Sequence, residues 1–398
     1  MELKTQLKSK LQEIFKEVCG DKAKDPGLLT GLSGQILFSC FLNNDDNATG
    51  SYDLEKELDR LFDLSASTPL LSFCGGLAGV GWTLEFLDQR NFVKWDTNVL
   101  LEDFDDILSV FLEKELQGAH YDYLHGALGI MLYFIARVRK KKSLLPVLDN
   151  ALLLLEKISH AQEDGAVKWI SLLEREKNHY GYNISLSHGL ASIISVLSKL
   201  YGVEGINRPK VAELIRNSVK YLMQQEISYE KYGSYFPSIA KESSKIINRS
   251  RLAWCYGDLG IASALWLAGN TLGEVSWKNK AVEILLYNAE HRRNLDANYV
   301  VDAGLCHGTA GIGHIFYRMW YNTRIPEFLE TAGYWFEETL KMAHYPDGLA
   351  GYKTFHPQEI GGWQNDSGLL EGITGIGLAL ISYCEGIDPV WDECLLLS

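Results

Sequence analysis

The chain has 398 residues, 46% of them hydrophobic and 22% charged, with a formal net charge of −13. That acidity argues against a nucleic-acid or anionic-membrane binder, and no uninterrupted apolar run approaches the ~18 residues that a spanning helix needs. Seven scattered cysteines, an odd number, suit reduced thiols better than a disulfide framework, and the mixed-charge start Met1-Glu2-Leu3-Lys4 lacks the apolar core of a signal peptide, so a cytoplasmic, soluble protein is expected.

Along the chain, amphipathic stretches begin near Leu3, Tyr52, Leu100, Ser143, Asn207, Lys278 and Pro326. The fifth of these places Val211, Leu214, Ile215, Ser218 and Leu222 at helical spacing, and the third does so with Leu100, Phe104, Ile107, Leu108 and Phe111. After each comes a Gly-x-x-Gly step, or a near copy, that opens an almost wholly apolar run. The steps are Gly31-Leu-Ser-Gly34, Gly76-Leu-Ala-Gly79, Gly126-Ala-Leu-Gly129, Gly189-Leu-Ala-Ser192, Gly257-Asp-Leu-Gly260, Gly308-Thr-Ala-Gly311 and Gly372-Ile-Thr-Gly375. Unrelated turn glycines would not recur seven times with such a run behind each. The spacings of 45 to 68 residues accommodate two helices and their connections.

This pattern predicts one all-α domain over residues 1–398, an α/α toroid in which seven inner helices are ringed by seven outer ones. Helices apolar all round are buried, and closing the ring removes the exposed ends of an open array. Two spacers exceed what a helix pair needs. Residues 164–186 have strand-forming content, and residues 229–250 are irregular and aromatic; they precede His188 and Cys255. Each is either a lid or peptide-docking excursion or a plain surface loop.

The residues just before the glycine steps fall at the N-terminal mouths of the inner helices, on one face of the ring. Asp122, His125, His188, Cys255, Tyr256, Cys306, His307 and Glu371 gather there. Cys255 and Cys306 both stand two positions before the first glycine of their step, so equivalent thiols from neighbouring repeats can meet, joined by His307. A Cys2His set is soft enough to prefer zinc and leaves a fourth tetrahedral position open, the pattern of a catalytic ion. The competing reading is of buried, inert cysteines beside a satisfied core histidine. Two thiolates already neutralise zinc, which suits binding a substrate thiol better than activating water. One zinc per chain is expected.

Ser187-His188-Gly189, Arg251-Leu-Ala-Trp254-Cys255-Tyr256-Gly257, Cys306-His307-Gly308 and Leu370-Glu371-Gly372-Ile-Thr-Gly375-Ile-Gly377 together resemble the lanthionine synthetase C-like family, the cyclases of lanthipeptide biosynthesis, across essentially the whole chain. The resemblance implies an α/α toroid with zinc on Cys255, Cys306 and His307. It implies addition of peptide cysteine thiols to dehydroalanine or dehydrobutyrine, forming lanthionine or methyllanthionine rings. His188 would be the acid/base with Asp122 as its partner, and Arg251 and Tyr256 would line the site. Arg251 would then stabilise the enolate oxygen, although it can instead pair with a carboxylate such as Asp258. Tyr256 either donates a hydrogen bond or simply packs, and His125 and Glu371 receive no role.

The chain departs from the family pattern at Ser192, where a second glycine is expected, and at Leu259, where the family often has proline. Because the seven repeats consume the sequence, the resemblance is to stand-alone cyclases. These work with a separate dehydratase, a dehydrated leader-bearing precursor peptide and an exporter. Two rivals share the motifs: intermolecular addition of a thiol such as glutathione, and non-catalytic peptide binding. Glycosidases and prenyltransferases of similar architecture would need carboxylates in place of this ligand set.

Overall fold

A computed structural model describes residues 2–21, 23–42, 52–174 and 178–398. Fourteen long helices alternate between two layers. The outer ones are α1 (Glu2–Gly20), α3 (Leu54–Ser67), α5 (Glu102–Gln117), α7 (Leu145–Lys157), α9 (Arg208–Gln224), α11 (Val275–His291) and α13 (Pro326–Lys341). The inner ones are α2 (Leu32–Leu42), α4 (Leu77–Gln89), α6 (Ala127–Arg137), α8 (Leu190–Tyr201), α10 (Asp258–Leu272), α12 (Thr309–Thr323) and α14 (Ile373–Glu385). Each inner helix packs on the next and α14 packs on α2, so the ring closes as the sevenfold pattern predicts.

Burial follows the sequence logic. Every residue of α6 is buried, whereas outer α9 buries one stripe that includes Val211, Leu214, Ile215, Ser218 and Leu222. Asn207 caps α9 by accepting from the Lys210 amide at 3.2 Å, and Pro209 fits its first turn. In α5 the expected stripe is rotated. Ile107 is exposed, and the inward face carries Asp105, Leu108, Leu112 and Leu116. The cause is an ion cluster: Asp105 receives Arg137 at 2.8 Å and the Tyr133 hydroxyl at 2.6 Å, while Arg137 also reaches Glu85 at 2.8 Å.

The glycine steps are required by a close approach of chain to chain. A Cβ on Gly311 would lie 1.9 Å from the Leu305 carbonyl oxygen, and one on Gly375 would lie 1.9 Å from that of Leu369. In each case the carbonyl belongs to the residue six positions earlier, because the loop folds back over the start of its own helix. In six repeats the first helical amide donates to the carbonyl of the residue six before the first glycine, as in Leu32 to Asp25 (3.1 Å) and Thr309 to Asp302 (3.1 Å). The loop therefore caps its own helix, and no side-chain cap is needed. Gly257, in the fifth repeat, instead takes a φ of +91°, which favours glycine. Ser192 fits in place of glycine with its hydroxyl donating to Gly189 O at 2.6 Å.

The expected irregular insertion contains two short hairpins. Strands β1 (His160–Ala161) and β2 (Val167–Lys168) pair, as do β3 (Ser171–Glu174) and β4 (His179–Gly181). It thus begins slightly before residue 164, and residues 175–177 lie outside the described residues. Residues 229–250 hold a four-residue helix, a 3-10 turn and a single bridge from Ile239 to Asn183. A third excursion, unanticipated from the sequence, separates α13 from α14 and carries hairpin β5 (Thr354–Phe355) and β6 (Trp363–Gln364).

Gly311→Ala is expected to cost about 3 kcal/mol, the upper end for overpacking, because its new methyl meets backbone. Gly20→Ala, whose Cβ meets nothing within 4 Å, should stay within about 0.5 kcal/mol. Urea unfolding of both variants measures the difference, and equal midpoints would contradict the close-approach account.

Candidate functional site

Seven loop residues, each two before the first glycine of its step, lie in a circle, and main-chain hydrogen bonds join six of the seven neighbouring pairs, all but Leu124 and Ser187. Leu29 N donates to Cys74 O (2.9 Å), Cys74 N to Leu124 O (3.0 Å), Ser187 N to Cys255 O (3.3 Å), Cys255 N to Cys306 O (3.2 Å) and Cys306 N to Leu370 O (2.9 Å). Leu370 N returns to Leu29 O at 2.9 Å. Inside this circle is a cavity of about 400 Å3. Every residue lining it stands one, two or six places before a glycine step: the seven of the circle, then Thr30, His125, His188, Tyr256, His307 and Glu371, then Arg251 and Asp366. The repeat therefore generates the site, and each repeat contributes different chemistry from the same geometric position.

The ligand atoms of Cys255, Cys306 and His307 lie within 4.8 Å of one another. His307 Nε2 is 3.3 Å from Asp302 Oδ2, which leaves Nδ1 for the two sulfurs. Asp302 is itself fixed, accepting from Gly304 N at 3.2 Å and Phe355 N at 3.1 Å. A carboxylate behind a ligating imidazole orients the ring and raises its basicity. Burial lowers the affinity of His307 for a proton, but the hydrogen bonds it donates to Asp302 and Cys255 outweigh it and push its pKa up to about 10. The bond from Cys306, with His307 nearby, holds Cys255 well below an ordinary thiol despite burial; the same bond holds Cys306 well above. Two thiols competing for one proton beside an oriented imidazole make a donor set that fits zinc, whose charge would ionise both.

Across the cavity His188 Nδ1 meets Asp122 Oδ2 at 2.6 Å, and the other oxygen of Asp122 accepts from His125 N at 2.8 Å. Burial opposes the protonated imidazole, yet Asp122 raises the His188 pKa, and Asp122 in turn is held low by His188 and His125 against its own burial. Nε2 of His188 is left for the cavity. The His125 ring lies parallel to that of His188, with centroids 6.3 Å apart. The Tyr256 hydroxyl accepts from Asn183 Nδ2 at 3.4 Å, and its ring centroid is 6.1 Å from that of His188.

Arg251 lines the cavity and does not pair with Asp258. Its Nη2 donates to Tyr299 O at 3.1 Å, and its Nε is buried without a partner. Asp258 is taken by Arg292 (3.4 Å), Asn288 Nδ2 (3.1 Å) and the amides of Tyr235 and Phe236 (3.1 and 2.9 Å). Thus six of the seven residues expected at the site, His188, Arg251, Cys255, Tyr256, Cys306 and His307, line one cavity, and the seventh, Asp122, stands behind His188.

Four further residues were missed: Cys74, Asp302, His356 and Asp366. Cys74 lies on the cavity wall in the register of the two other cysteines, its thiol pushed up to about 12 by burial. Asp366 and Glu371 face His356, with ligand atoms within 4.8 Å. Asp302 was legible: Asp25, Asn183, Asp302 and Asp366 all stand six before the first glycine, and each bonds the amide two residues on. That recurrent turn is a sequence signal.

Beside the cavity, sharing His188 and Tyr256 with it, a groove of about 410 Å3 runs between residues 119–122 and the insertion at 170–173. The Tyr121 hydroxyl bridges the two walls through Ser171 Oγ and Trp169 O.

A double-layered helical ring with a Cys2His and Asp-His cavity at its mouth defines a class that the comparisons identify. The profile of lanthionine synthetase C-like proteins matches residues 52–396, and the chain belongs to that family. It is 25% identical over 401 residues to nisin biosynthesis protein NisC of Lactococcus lactis subsp. lactis, covering 93% of this chain and 88% of the relative. The solved structure of nisin cyclase superposes with a TM-score of 0.74 at 20% identity, over 98% of this chain and 97% of the other. No helix among the described residues is long and apolar enough to cross a membrane.

Cys306→Ala is expected to abolish stoichiometric zinc while leaving the helical circular dichroism intact, since helix packing rather than an ion builds the ring. Metal analysis after dialysis reads this out; one zinc per chain in the variant would remove Cys306 from the ligand set.

Proposed function

We propose that this chain is a zinc-dependent lanthipeptide cyclase, adding cysteine thiols of a dehydrated, leader-bearing precursor peptide to its dehydroalanine or dehydrobutyrine residues. A separate dehydratase would supply that peptide in the cytoplasm, and an exporter would take the product. The observation that carries the reading is the sharing of one cavity by the Cys255, Cys306 and His307 set and by His188, which Asp122 holds from behind.

Zinc bound by Cys255, Cys306 and His307 would keep a substrate thiol ionised near neutral pH. His188 has its Nδ1 engaged by Asp122, so its free Nε2 takes the thiol proton and holds it on the cavity side. The sulfur lone pair then forms the bond to the β-carbon, and the alkene pair moves onto the α-carbon and its amide oxygen. The buried, unpartnered Nε of Arg251 supplies a donor for that oxygen as charge develops, with Tyr256 beside it. The enolate collapses when His188 returns its proton to the α-carbon, so the proton lost by sulfur is the one gained by carbon. The groove against the insertion, continuous with His188 and Tyr256, suits an extended peptide whose reacting residue reaches into the cavity.

His188→Asn should retain zinc and peptide binding but cyclise ~10²–10⁴-fold more slowly, the size of a general acid–base contribution. Arg251→Ala should slow the step ~10²–10³-fold, as for loss of one oxyanion donor. Single-turnover cyclisation followed by thiol alkylation and mass reads both, and a wild-type rate for His188→Asn would leave the proton to another group. Dehydrated peptides with and without their own cysteine, the latter supplied with glutathione, separate intramolecular from intermolecular addition.

Leu172 is exposed on the groove wall. Leu172→Asp is expected to raise KM several-fold with zinc content and the rate at saturation unchanged. Unaltered KM would return the insertion to the status of a surface loop.

A further inference from the structure

Residues 390–397 run up the inside of the ring toward the cavity floor. Asp392 is gripped by His314 Nε2 (2.9 Å) and by Arg318 (2.8 Å) from α12, and the Trp391 indole donates to Ser382 Oγ of α14 at 2.9 Å. Glu393 lies 3.8 Å from Lys199 of α8. From this anchorage two consecutive carbonyls point at the floor: Cys394 O accepts the Tyr123 hydroxyl at 2.6 Å, and Leu395 O accepts the Trp254 indole N–H at 2.8 Å.

The floor has its own register. Leu28, Phe73, Tyr123, Leu186, Trp254, Leu305 and Leu369 stand three before the first glycine in successive repeats, and all are buried. Five of these are purely apolar. The two that carry a donor are the neighbours of Asp122 and of Cys255, one from each half of the site.

We infer that residues 390–397 are a positioning element for both halves of the site, setting Asp122 through Tyr123 and Cys255 through Trp254. The inference rests on the cavity being the metal and acid–base site proposed above. An indole and a phenol without their carbonyls would be buried unsatisfied donors, so each side chain has one favoured depth. Because the two acceptors are adjacent on one rigidly held segment, the separation of the two halves is fixed by the chain between them. Neither residue touches the reacting atoms; both act through their neighbours.

Trp254→Phe removes the donor and keeps an aromatic ring. Trp169→Phe is the matched control, since its indole also donates to a buried carbonyl, Leu155 O, at 2.8 Å. Zinc affinity, measured by chelator competition, is expected to fall ~10–100-fold in Trp254→Phe, as when support behind a ligand is lost, and to hold within twofold in Trp169→Phe. Cobalt-substituted Trp254→Phe should show a shifted thiolate charge-transfer band. In metal-free protein, alkylation of Cys255 should quicken several-fold, a readout independent of any ion. Tyr123→Phe is expected to keep zinc affinity and KM while lowering the single-turnover rate about tenfold. Equal zinc affinity, equal Cys255 alkylation and wild-type rates in Trp254→Phe and Tyr123→Phe would overturn the inference. Failure of the wild-type protein to bind zinc would sink the metal reading instead, leaving the alkylation comparison to decide the positioning role.

Discussion

The run of main-chain hydrogen bonds from Ser187 through Cys255, Cys306, Leu370, Leu29 and Cys74 to Leu124 is the constraint on which the molecule turns. Amides and carbonyls of irregular loops must be satisfied when buried, and here six of the seven neighbouring loop pairs satisfy one another. That demand brings seven loops together, and little room is left for a side chain where a loop crosses the start of its own helix, Ser192 being the exception. The glycine steps follow from it, and so does the uniform direction in which the flanking residues point.

A shared register makes chemistry separable from fold. Positions one, two and six before each glycine step face the cavity, so a repeat can present a thiol, an imidazole, a carboxylate or a leucine without altering the circle. The fifth and sixth repeats present sulfur and imidazole. The fourth presents His188 across from them, held from behind by Asp122 of the third, and the seventh presents Glu371 beside His356. A soft donor set and a proton carrier thus face each other at a spacing set by backbone geometry rather than by flexible side chains. Positions three before the steps face the other way and make the floor, which explains why loop residues one apart serve such different ends.

The most deeply buried charges outside the cavity are paired. Arg292 joins Asp258, Asn298 and Ser250 O beneath the loop that carries Arg251. Burial pushes the Asp258 carboxyl up, against the pull of Arg292 and three hydrogen bonds from Asn288, Tyr235 and Phe236. Such clusters contribute little net stability against an apolar replacement, yet losing one partner costs about 3–5 kcal/mol. Their value here is placement: Asp258 opens α10 while holding the amides of Tyr235 and Phe236, so the excursion at 229–250 is tied to the repeat that supplies Cys255.

The sequence by itself determined the sevenfold alternation of amphipathic and apolar helices, because helical periodicity and the glycine steps are local properties of the chain. It also determined which residues gather, since equal offsets from a repeated glycine imply equal places in a ring. Only the tertiary structure decided that Arg251 turns to Tyr299 while Asp258 goes to Arg292, a choice between two cations that spacing cannot make. It alone decided the rotated face of α5, where a buried ion cluster overrides the apolar stripe, and the hairpin at 354–364, too short to leave a strand pattern. The seat of residues 390–397 under the site was also beyond the sequence, because contacts such as that of Tyr123 with Cys394 join positions 271 residues apart and leave no trace in local pattern.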